Sequence, residues 1–226
     1  MLIPVYNEED GLEEILYRVD AVPVEKEIIV VDDCSTDRTP EILRAVDWPH
    51  VRVFRHPVNL GKGAAIRTAM EAATGDAVII QDADLEYSPE EYPRLLAPIL
   101  QGRAAVVYGV RDLAGQKRFV RWGNHLLTGL TNLLYGTRIH DMETCYKVML
   151  TPIAKSLQLE CNRFDLEPEI TAKIARQDYR IVEVPISYSP REEKKLSPWR
   201  DGWPAVQALF RYRSWQPPEE PVTEPG

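Results

Sequence analysis

Long apolar runs are missing from this 226-residue sequence, and the longest unbroken ones are short, such as 104–108. A helix that spans a bilayer needs about 18–20 apolar residues. The sequence also lacks a basic and apolar leader of the secretory kind. We therefore expect a protein that is not secreted, has no transmembrane segment and works in the cytoplasm, at most as a peripheral protein on the inner face of the membrane.

Cysteine is scarce as well. Cys34, Cys145 and Cys161 are odd in number and far apart, and no two of them form a CxxC pair. This spacing indicates neither a disulfide framework nor a zinc cluster, and a reducing compartment is the simplest setting.

Basic residues are fewer than acidic ones. The resulting net charge of −8 argues against a general nucleic-acid-binding protein. Two segments depart from this balance. Residues 111–125 and residues 187–215 each contain three more basic than acidic side chains. We therefore expect an anionic partner that binds at a restricted place.

What the sequence does contain is an alternation of strand and helix patterns, with 44% hydrophobic residues to build a core. The predicted strands are 27–31, 51–54, 77–80, 104–108 and 180–184. Helices are predicted from Thr39, from Gly61 to Ala73, from Ser88, and over 124–135, 164–176 and 204–212. Such alternation predicts a mostly parallel sheet with helices on both faces.

Acidic residues follow two of these strands directly, as Asp32-Asp33 and as Asp82-Ala83-Asp84. In parallel sheets, ligands bind at the carboxyl ends of the strands. Both acidic pairs are therefore expected to meet in one crevice.

The Asp82-Ala83-Asp84 pair has the chemistry of a metal site. Carboxylates two residues apart on a turn can collect oxygen ligands around Mg²⁺ or Mn²⁺, and such ions bridge diphosphates. Glu86 is a candidate third carboxylate. The alternative is a solvated acidic turn, which the position at a strand end disfavours.

Small polar residues fill the segment 31–39. We expect Asp32 or Asp33 to contact a base or a ribose, and Asp37 and Thr39 to start the following helix. The glycine-rich segment 59–63 can present N–H groups and Lys62 to a phosphate, or simply begin a helix. Its spacing excludes a P-loop.

The order of several motifs is specific to one family. These motifs are found at Ile3–Glu9, Val31–Thr39, Asn59–Ala65, Gln81–Tyr87, Tyr108–Arg111, Asp141–Lys147, Arg163–Glu169 and Lys194–Gly202. Together they resemble the family-2 inverting glycosyltransferases, in the polyprenyl-phosphate branch that includes the dolichyl-phosphate mannose and glucose synthases.

This resemblance implies an α/β fold of the GT-A type, a Rossmann-like, mostly parallel sheet flanked by helices. It implies a single domain over 1–215 with a C-terminal amphipathic helix. Within it, 1–110 would bind the nucleotide sugar and 111–215 the acceptor. The proline- and glutamate-rich residues 216–226 are expected to form a disordered tail.

The resemblance also implies the donor-side residues. The nucleotide pocket would be lined by Pro4, Tyr6, Glu8, Asp32, Asp33, Lys62 and Asp82. The metal, Mg²⁺ or Mn²⁺, would be held by Asp82, Asp84 and Glu86.

On the acceptor side, the resemblance implies that the acceptor phosphate is bound by Arg111, Arg118, Arg191 and Lys195, the last two in a basic loop that closes over the diphosphate. The catalytic group would comprise Asp84, Asp141, Glu143 and Arg111. Surface pairing with Asp112 is the alternative role for Arg111, and structural hydrogen bonding is the alternative for the two acidic residues.

The sequence departs from the family pattern in three places. The first strand looks truncated before Pro4, and no glycine precedes the Lys194-Lys195 pair. Glu86 stands where several relatives carry glutamine.

The chemistry favours transfer from a GDP- or UDP-hexose to a polyprenyl phosphate. A phosphate monoester, with a second pKa of about 6, attacks without a strong base but needs cations to hold it. Two alternatives remain: transfer to a sugar hydroxyl in polysaccharide or glycolipid assembly, and a non-catalytic nucleotide-sugar-binding protein.

The C-terminal segment mixes tryptophan and phenylalanine with arginine over 199–215. This composition suits a helix that lies at a membrane surface. The alternative is a helix that packs on the catalytic domain.

Overall fold

The computed structural model describes residues 1–163, 165–190 and 202–218. Seven β-strands are found in this part of the chain. They are β1 (Leu2–Val5), β2 (Ile28–Asp32), β3 (Val51–Arg55), β4 (Ala77–Ile79), β5 (Val106–Arg111), β6 (Lys147–Leu150) and β7 (Ile181–Ile186).

The strands form two sheets that meet edge to edge. One has the order β1-β2-β3 and is entirely parallel; the other has the order β4-β6-β5-β7. A parallel bridge between Leu2 and Ile80, with the Gln81 amide donating to the Leu2 carbonyl at 2.9 Å, joins β1 to the end of β4. Among the described strands, both antiparallel pairs involve β6, and the pairs β1-β2, β2-β3 and β5-β7 are parallel, so the prediction of a mostly parallel sheet is confirmed.

Eight α-helices are found in the described chain, seven of them between strands and the eighth after β7. They are α1 (Leu12–Ala21), α2 (Thr39–Ala45), α3 (Lys62–Ala72), α4 (Tyr92–Leu100), α5 (Arg118–Tyr135), α6 (Thr151–Ser156), α7 (Leu166–Arg176) and α8 (Trp203–Arg211). The predicted helix over 124–135 begins six residues earlier than expected. No helix of the described residues is both long and apolar enough to cross a bilayer.

One large hydrophobic core lies between the sheet and the helices. All five residues of β2 are buried, as expected for a parallel strand covered on both faces. Nine of the eleven residues of α7 are also buried, including Glu167, Glu169 and Lys173. Helix α7 therefore brings charged side chains into the interior of the protein.

Helix α8 packs on α7 rather than standing apart. Ala205, Ala208 and Leu209 are buried against the domain, and the rings of Tyr212 and Trp215 lie over the Lys173 ammonium at 4.7 and 5.2 Å. Over the described residues 203–215, the alternative of a helix that packs on the rest of the domain is found.

Candidate active site

The loops at the carboxyl edge of the sheet hold unusual backbone conformations. Asn7, Cys34 and Leu85 follow β1, β2 and β4, and their φ angles are 54°, 66° and 60°. Non-glycine residues seldom adopt this left-handed conformation, and such strain often accumulates at functional sites. Three neighbouring strands therefore end in turns that tertiary contacts hold in place.

Hydrogen bonds fasten the loop after β1 to the loop after β2. The Asn7 amide donates to Ser35 Oγ at 3.0 Å, and the Glu8 amide donates to Thr39 Oγ1 at 3.0 Å. Asp37 accepts from the amides of Thr39 (2.9 Å) and Glu9 (3.1 Å). Partial burial works to raise the pKa of Asp37, but these hydrogen bonds lower it. Helix α2 does begin at Thr39, whose amide binds Asp37, but the Thr39 hydroxyl joins the two loops and does not cap the helix.

Asp32 and Asp33, at the end of β2, are both buried. Asp32 accepts from the Ser35 amide at 2.9 Å and pairs with Arg55 at 3.1 Å. Asp33 is engaged through both oxygens, by His56 Nδ1 at 2.7 Å and by the amides of Leu60 (2.9 Å) and Gly61 (2.7 Å). Asp33 thus anchors the glycine-rich segment, and its part in the nucleotide pocket stays a prediction.

The glycine-rich segment serves packing between parts of the chain that are distant in sequence. A Cβ atom at Gly61 would overlap the carbonyl oxygen of Asn162, and one at Gly63 would overlap that of Cys161. The Gly63 amide donates to the Asn162 carbonyl at 2.9 Å, while Gly61 has φ +99°. Because the Leu60 and Gly61 amides are bound to Asp33, these two N–H groups are not presented to a phosphate.

Lys62 connects three segments of the site. Its ammonium lies 2.9 Å from Asp82 Oδ1 and 2.9 Å from Glu167 Oε1. Burial alone would lower the pKa of Lys62, but the charges of Asp82 and Glu167 raise it well above its usual value. Lys62 is therefore cationic at neutral pH and joins α3, the acidic turn after β4 and the start of α7.

The acidic turn offers oxygen ligands of the type that Mg²⁺ and Mn²⁺ prefer. The Glu86 amide donates to Asp84 Oδ1 at 3.2 Å, and the Glu86 carboxylate is buried and accepts from the Tyr188 hydroxyl at 2.8 Å. Among the described residues, no group of three or more acidic, histidine or cysteine side chains is arranged to hold an ion. Mg²⁺ is commonly held by one or two carboxylates plus substrate phosphates, so Asp82 and Asp84 fit an ion that is shared with a diphosphate.

Arg111, at the end of β5, pairs with Asp141 and not with Asp112. Its Nε and Nη2 atoms donate to the two Asp141 oxygens at 2.7 and 2.8 Å, and both side chains are largely buried. Burial works to lower the pKa of Arg111, but the nearby Tyr87 and Asp141 raise it well above its usual value. The surface ion pair considered from the sequence is therefore wrong.

Residues of β7, α5 and β6 hold the turn that carries Asp141 by hydrogen bonds. Glu183 on β7 accepts from the His140 amide at 2.6 Å, and Thr128 Oγ1 on α5 accepts from the Met142 amide at 3.1 Å. Lys147 is fully buried beneath the same turn, where its ammonium donates to the carbonyls of Met142 and Thr144. Elements that are distant in sequence thus hold this loop rigidly.

Glu143 has a carboxylate oxygen that makes no hydrogen bond to the described part of the chain. Its Oε1 atom is buried without a hydrogen-bond partner. Burial, and then the charge of Glu167, raise the pKa of Glu143 to about 7, while burial lowers the pKa of Lys147 to about 8. A carboxyl group that titrates near neutral pH is suited to proton transfer.

The raised pKa of Glu143 gives a testable pH dependence of stability. The folded protein binds this proton more tightly than the unfolded chain, whose carboxyl keeps its ordinary pKa of 4.5. The free energy of unfolding should therefore fall as pH rises from about 4.5 to about 7. We expect Glu143→Gln to remove this part of the decline, as measured by urea unfolding at pH 5 and pH 7.5.

The exposed Glu71 of α3 provides the matched control. Glu71→Gln should leave the pH dependence of wild type unchanged. A Glu143→Gln variant whose stability declines as steeply as wild type would contradict the assignment.

The remaining predicted site residues are scattered along the same edge or lie outside the described chain. Pro4 is in β1, Tyr6 and Glu8 follow it, and Arg118 is the exposed first residue of α5. Arg191 and Lys195 lie outside the described residues. The roles of all these residues stay predictions.

Four residues that shape the site were not assigned a role from the sequence. Glu167 and Lys147 fall within the family motifs, so the sequence marked their positions as candidates for a role in the site. Tyr188 and Glu183 follow no motif, and their roles come from strand pairing. The antiparallel bridge between Tyr87 and Tyr188 brings the end of β7 next to the acidic turn.

Comparison with known proteins shows which family the sequence matches. Residues 1–157 match the family described as glycosyl transferase family 2. The chain is 31% identical over 221 residues to the low-salt glycan biosynthesis hexosyltransferase Agl6 of Haloferax volcanii, covering 93% of this chain and 52% of that protein. It is 35% identical over 200 residues to the undecaprenyl-phosphate 4-deoxy-4-formamido-L-arabinose transferase of Edwardsiella ictaluri, covering 85% and 60%. The chain therefore spans between half and two thirds of the length of these curated relatives.

Solved structures agree on the fold. Glucosyl-3-phosphoglycerate synthase from Mycobacterium tuberculosis, solved with Mn²⁺, uridine diphosphate and phosphoglyceric acid, superimposes with a TM-score of 0.76 at 20% identity. The match covers 96% of this chain and 78% of that one. Mannosyl-3-phosphoglycerate synthase from Rubrobacter xylanophilus gives a TM-score of 0.74 at 19% identity, covering 92% and 71%. The GT-A-like fold predicted from the sequence is confirmed.

Proposed function

The chain belongs to glycosyl transferase family 2, and we propose that it transfers a hexose from a nucleotide diphosphate sugar to a polyprenyl phosphate, with inversion and with a divalent metal. The observation that carries this proposal is the Lys62 bridge, which ties the acidic turn at Asp82 to Glu167 of α7. The names of two relatives, a hexosyltransferase and an undecaprenyl-phosphate transferase, support the reaction and the acceptor.

On the donor side, Asp82 and Asp84 would hold Mg²⁺ or Mn²⁺, and Glu86 is the further candidate. The ion supplies neutralisation of the charge that grows on the leaving diphosphate. Mn²⁺ and uridine diphosphate are bound in a structural neighbour, which supports a divalent metal beside a nucleotide diphosphate. Lys62 places a fixed positive charge beside Asp82 and so keeps the acidic turn oriented in the absence of the donor.

On the acceptor side, the candidate phosphate ligands are Arg111 and Arg118, together with Arg191 and Lys195. A phosphate monoester is largely a dianion at neutral pH and can attack the sugar directly. Its chief need is to be held in line with the leaving group against the negative charge of the donor. The buried, permanently charged Arg111 is suited to that task.

The proposal includes a membrane-facing surface on α5. This helix exposes Phe119, Trp122, Leu126 and Leu133, whose spacing places them along one face. Exposed basic residues lie at its N-terminal end, namely Lys117, Arg118 and Arg121. Apolar side chains beside basic ones suit the surface of an anionic bilayer, where a polyprenyl phosphate presents its headgroup.

We expect the double substitution Trp122→Ser with Leu126→Ser to weaken binding to phosphatidylglycerol-containing vesicles at least about tenfold, because it removes two large apolar contacts. Co-sedimentation measures the effect. Leu100→Ser is the matched control, since Leu100 is 76% exposed at the end of α4, on another helix. Equal vesicle binding by all three proteins would remove α5 from the proposal.

The proposed reaction is tested by a donor screen. Purified protein is incubated with UDP- and GDP-hexoses, undecaprenyl phosphate and Mn²⁺ or Mg²⁺, and the lipid fraction is extracted for mass spectrometry. We expect one sugar–phosphate–lipid product that disappears when EDTA is added. Donor binding without metal-dependent turnover would instead favour the non-catalytic nucleotide-sugar-binding protein.

Glu143 favours a second candidate function, transfer to a sugar hydroxyl. Such an acceptor needs a base, and a buried carboxylate with an unpartnered oxygen and a raised pKa has that character. The two acceptors are distinguished by offering glycosides and undecaprenyl phosphate in the same assay.

A further inference from the structure

Resting on the proposed function, we infer that Asp141 is a positioning residue that aims the Arg111 guanidinium at the acceptor phosphate, and that it does not accept a proton during transfer. Its carboxylate would touch neither substrate. It acts through Arg111, whose orientation decides where the anionic nucleophile is held.

The contacts between the two side chains fix the guanidinium in its plane. Asp141 accepts from Arg111 Nε and Nη2 at 2.7 and 2.8 Å, and its Oδ2 atom also accepts from the Arg111 backbone amide at 3.2 Å. A bidentate pair of this kind adds geometric specificity to its electrostatic energy. Three hydrogen bonds to one carboxylate leave Arg111 little rotational freedom.

Two further groups contact the guanidinium, one at Nη2 and one at its face. The Asn124 Oδ1 atom of α5 accepts from Nη2 at 3.4 Å, and the Tyr188 ring lies 5.2 Å from the guanidinium carbon. Among the described residues, Nη1 makes no hydrogen bond to protein. The Nη1 edge is therefore the part of Arg111 that remains for an anionic ligand.

Asp141 is itself held in position by Glu183 of β7. The Asp141 amide donates to Glu183 Oε1 at 3.4 Å, and the neighbouring His140 binds the same carboxylate through its amide and its Nδ1 atom, both at 2.6 Å. The carboxylate of Asp141 is only 2% exposed. Glu183 on β7 therefore holds Asp141, and Asp141 in turn holds Arg111. This chain of hydrogen bonds suits a residue that positions another one.

The same contacts occupy both oxygens of Asp141 with Arg111, so neither oxygen is left for a substrate. Loss of this pairing would leave a buried cation without its partner. Within this loop, Glu143 has a buried carboxylate oxygen without a hydrogen-bond partner among the described residues. Of the two acids in this loop, Glu143 is the one whose surroundings suit proton transfer.

Steady-state kinetics of Asp141→Asn tests the inference. Asparagine keeps the shape but lacks the charge and the second acceptor oxygen, so Arg111 loses its fixed orientation. We expect the KM for undecaprenyl phosphate to rise at least about tenfold, with the KM for the donor and the pH profile of kcat unchanged. Asp141→Glu, which restores a carboxylate, should recover part of the loss.

A double-mutant cycle makes the test specific. If Asp141 acts only through Arg111, then Arg111→Lys combined with Asp141→Asn should be no worse than Arg111→Lys alone. A fall in kcat of a thousandfold at saturating acceptor, or loss of an ionisation from the pH profile of Asp141→Asn, would identify a base and overturn the inference. So would multiplicative losses in the double variant.

The failure of this inference is distinguishable from failure of the proposed function. If wild type transfers no sugar to undecaprenyl phosphate, the proposed function fails. If wild type transfers and the Asp141→Asn variant keeps its KM for the lipid, the inference alone fails. The melting temperature of each variant shows whether the fold is intact.

Discussion

Asp84→Asn is expected to lower kcat for sugar transfer about a thousandfold, because a divalent ion contributes several kcal/mol to the stabilisation of a leaving diphosphate. Asparagine keeps the size of Asp84 and its capacity to accept the Glu86 amide hydrogen bond, which is 3.2 Å long. The fold should therefore be retained, and the loss should appear in turnover. Isothermal titration should show weaker binding of Mn²⁺ in the presence of the nucleotide.

Asp47→Asn is the matched control for Asp84→Asn. Asp47 is an exposed aspartate between α2 and β3, at the opposite edge of the sheet from the acidic turn. Its replacement should leave kcat and metal binding at wild-type values. Full activity of the Asp84→Asn variant would show that Asp84 does not hold the ion, and the donor side of the proposed function would then be wrong.

Gly63→Ala is expected to lower the free energy of unfolding by about 3 kcal/mol, which is the upper range for overpacking a well-packed interior. The added methyl group would overlap the Cys161 carbonyl, which belongs to a backbone that cannot rotate away as a side chain can. The movement would also break the hydrogen bond from the Gly63 amide to Asn162. Urea unfolding measures the change.

Gly129→Ala provides the opposite expectation in the same protein. Gly129 lies in the exposed part of α5, and a Cβ added there meets nothing within 4 Å. Alanine has a higher helix propensity than glycine, so the free energy of unfolding should rise by about 0.5–1 kcal/mol. Equal effects of the two substitutions would mean that the contact between Gly63 and the 161–162 loop does not contribute to stability.

The placement of the two acidic pairs at one edge of the sheet could be predicted from the sequence because the signal for it is local. Asp32-Asp33 and Asp82-Ala83-Asp84 each follow a strand that periodicity identifies, and strand ends in a parallel sheet share one edge. The structure links the two groups through neighbouring residues, since Gly61 binds Asp33 and Lys62 binds Asp82. No long-range information was needed for this expectation.

The acceptor half could be predicted less well because its contacts depend on tertiary pairing. Asp112 is adjacent to Arg111 in sequence, yet Asp141, thirty residues away, is the partner. Strand β6 is short and its only charged residue, Lys147, is buried, so its pattern gave no clear strand signal. Family motifs marked this region, but the antiparallel pairing of β6 with β5, which places Lys147 beside Tyr108, is not apparent from the sequence.

The contacts of Lys62 and Gly63 with residues beyond position 160 bear on how the protein is made. The matched family region ends at residue 157, before Cys161, Asn162 and Glu167. A ribosome that has synthesised only that region has made every aspartate of the donor site, but not the loop that covers α3. A fragment cut at residue 157 would leave the ammonium of Lys62 without Glu167, and we expect it to require α7 before it becomes a working unit.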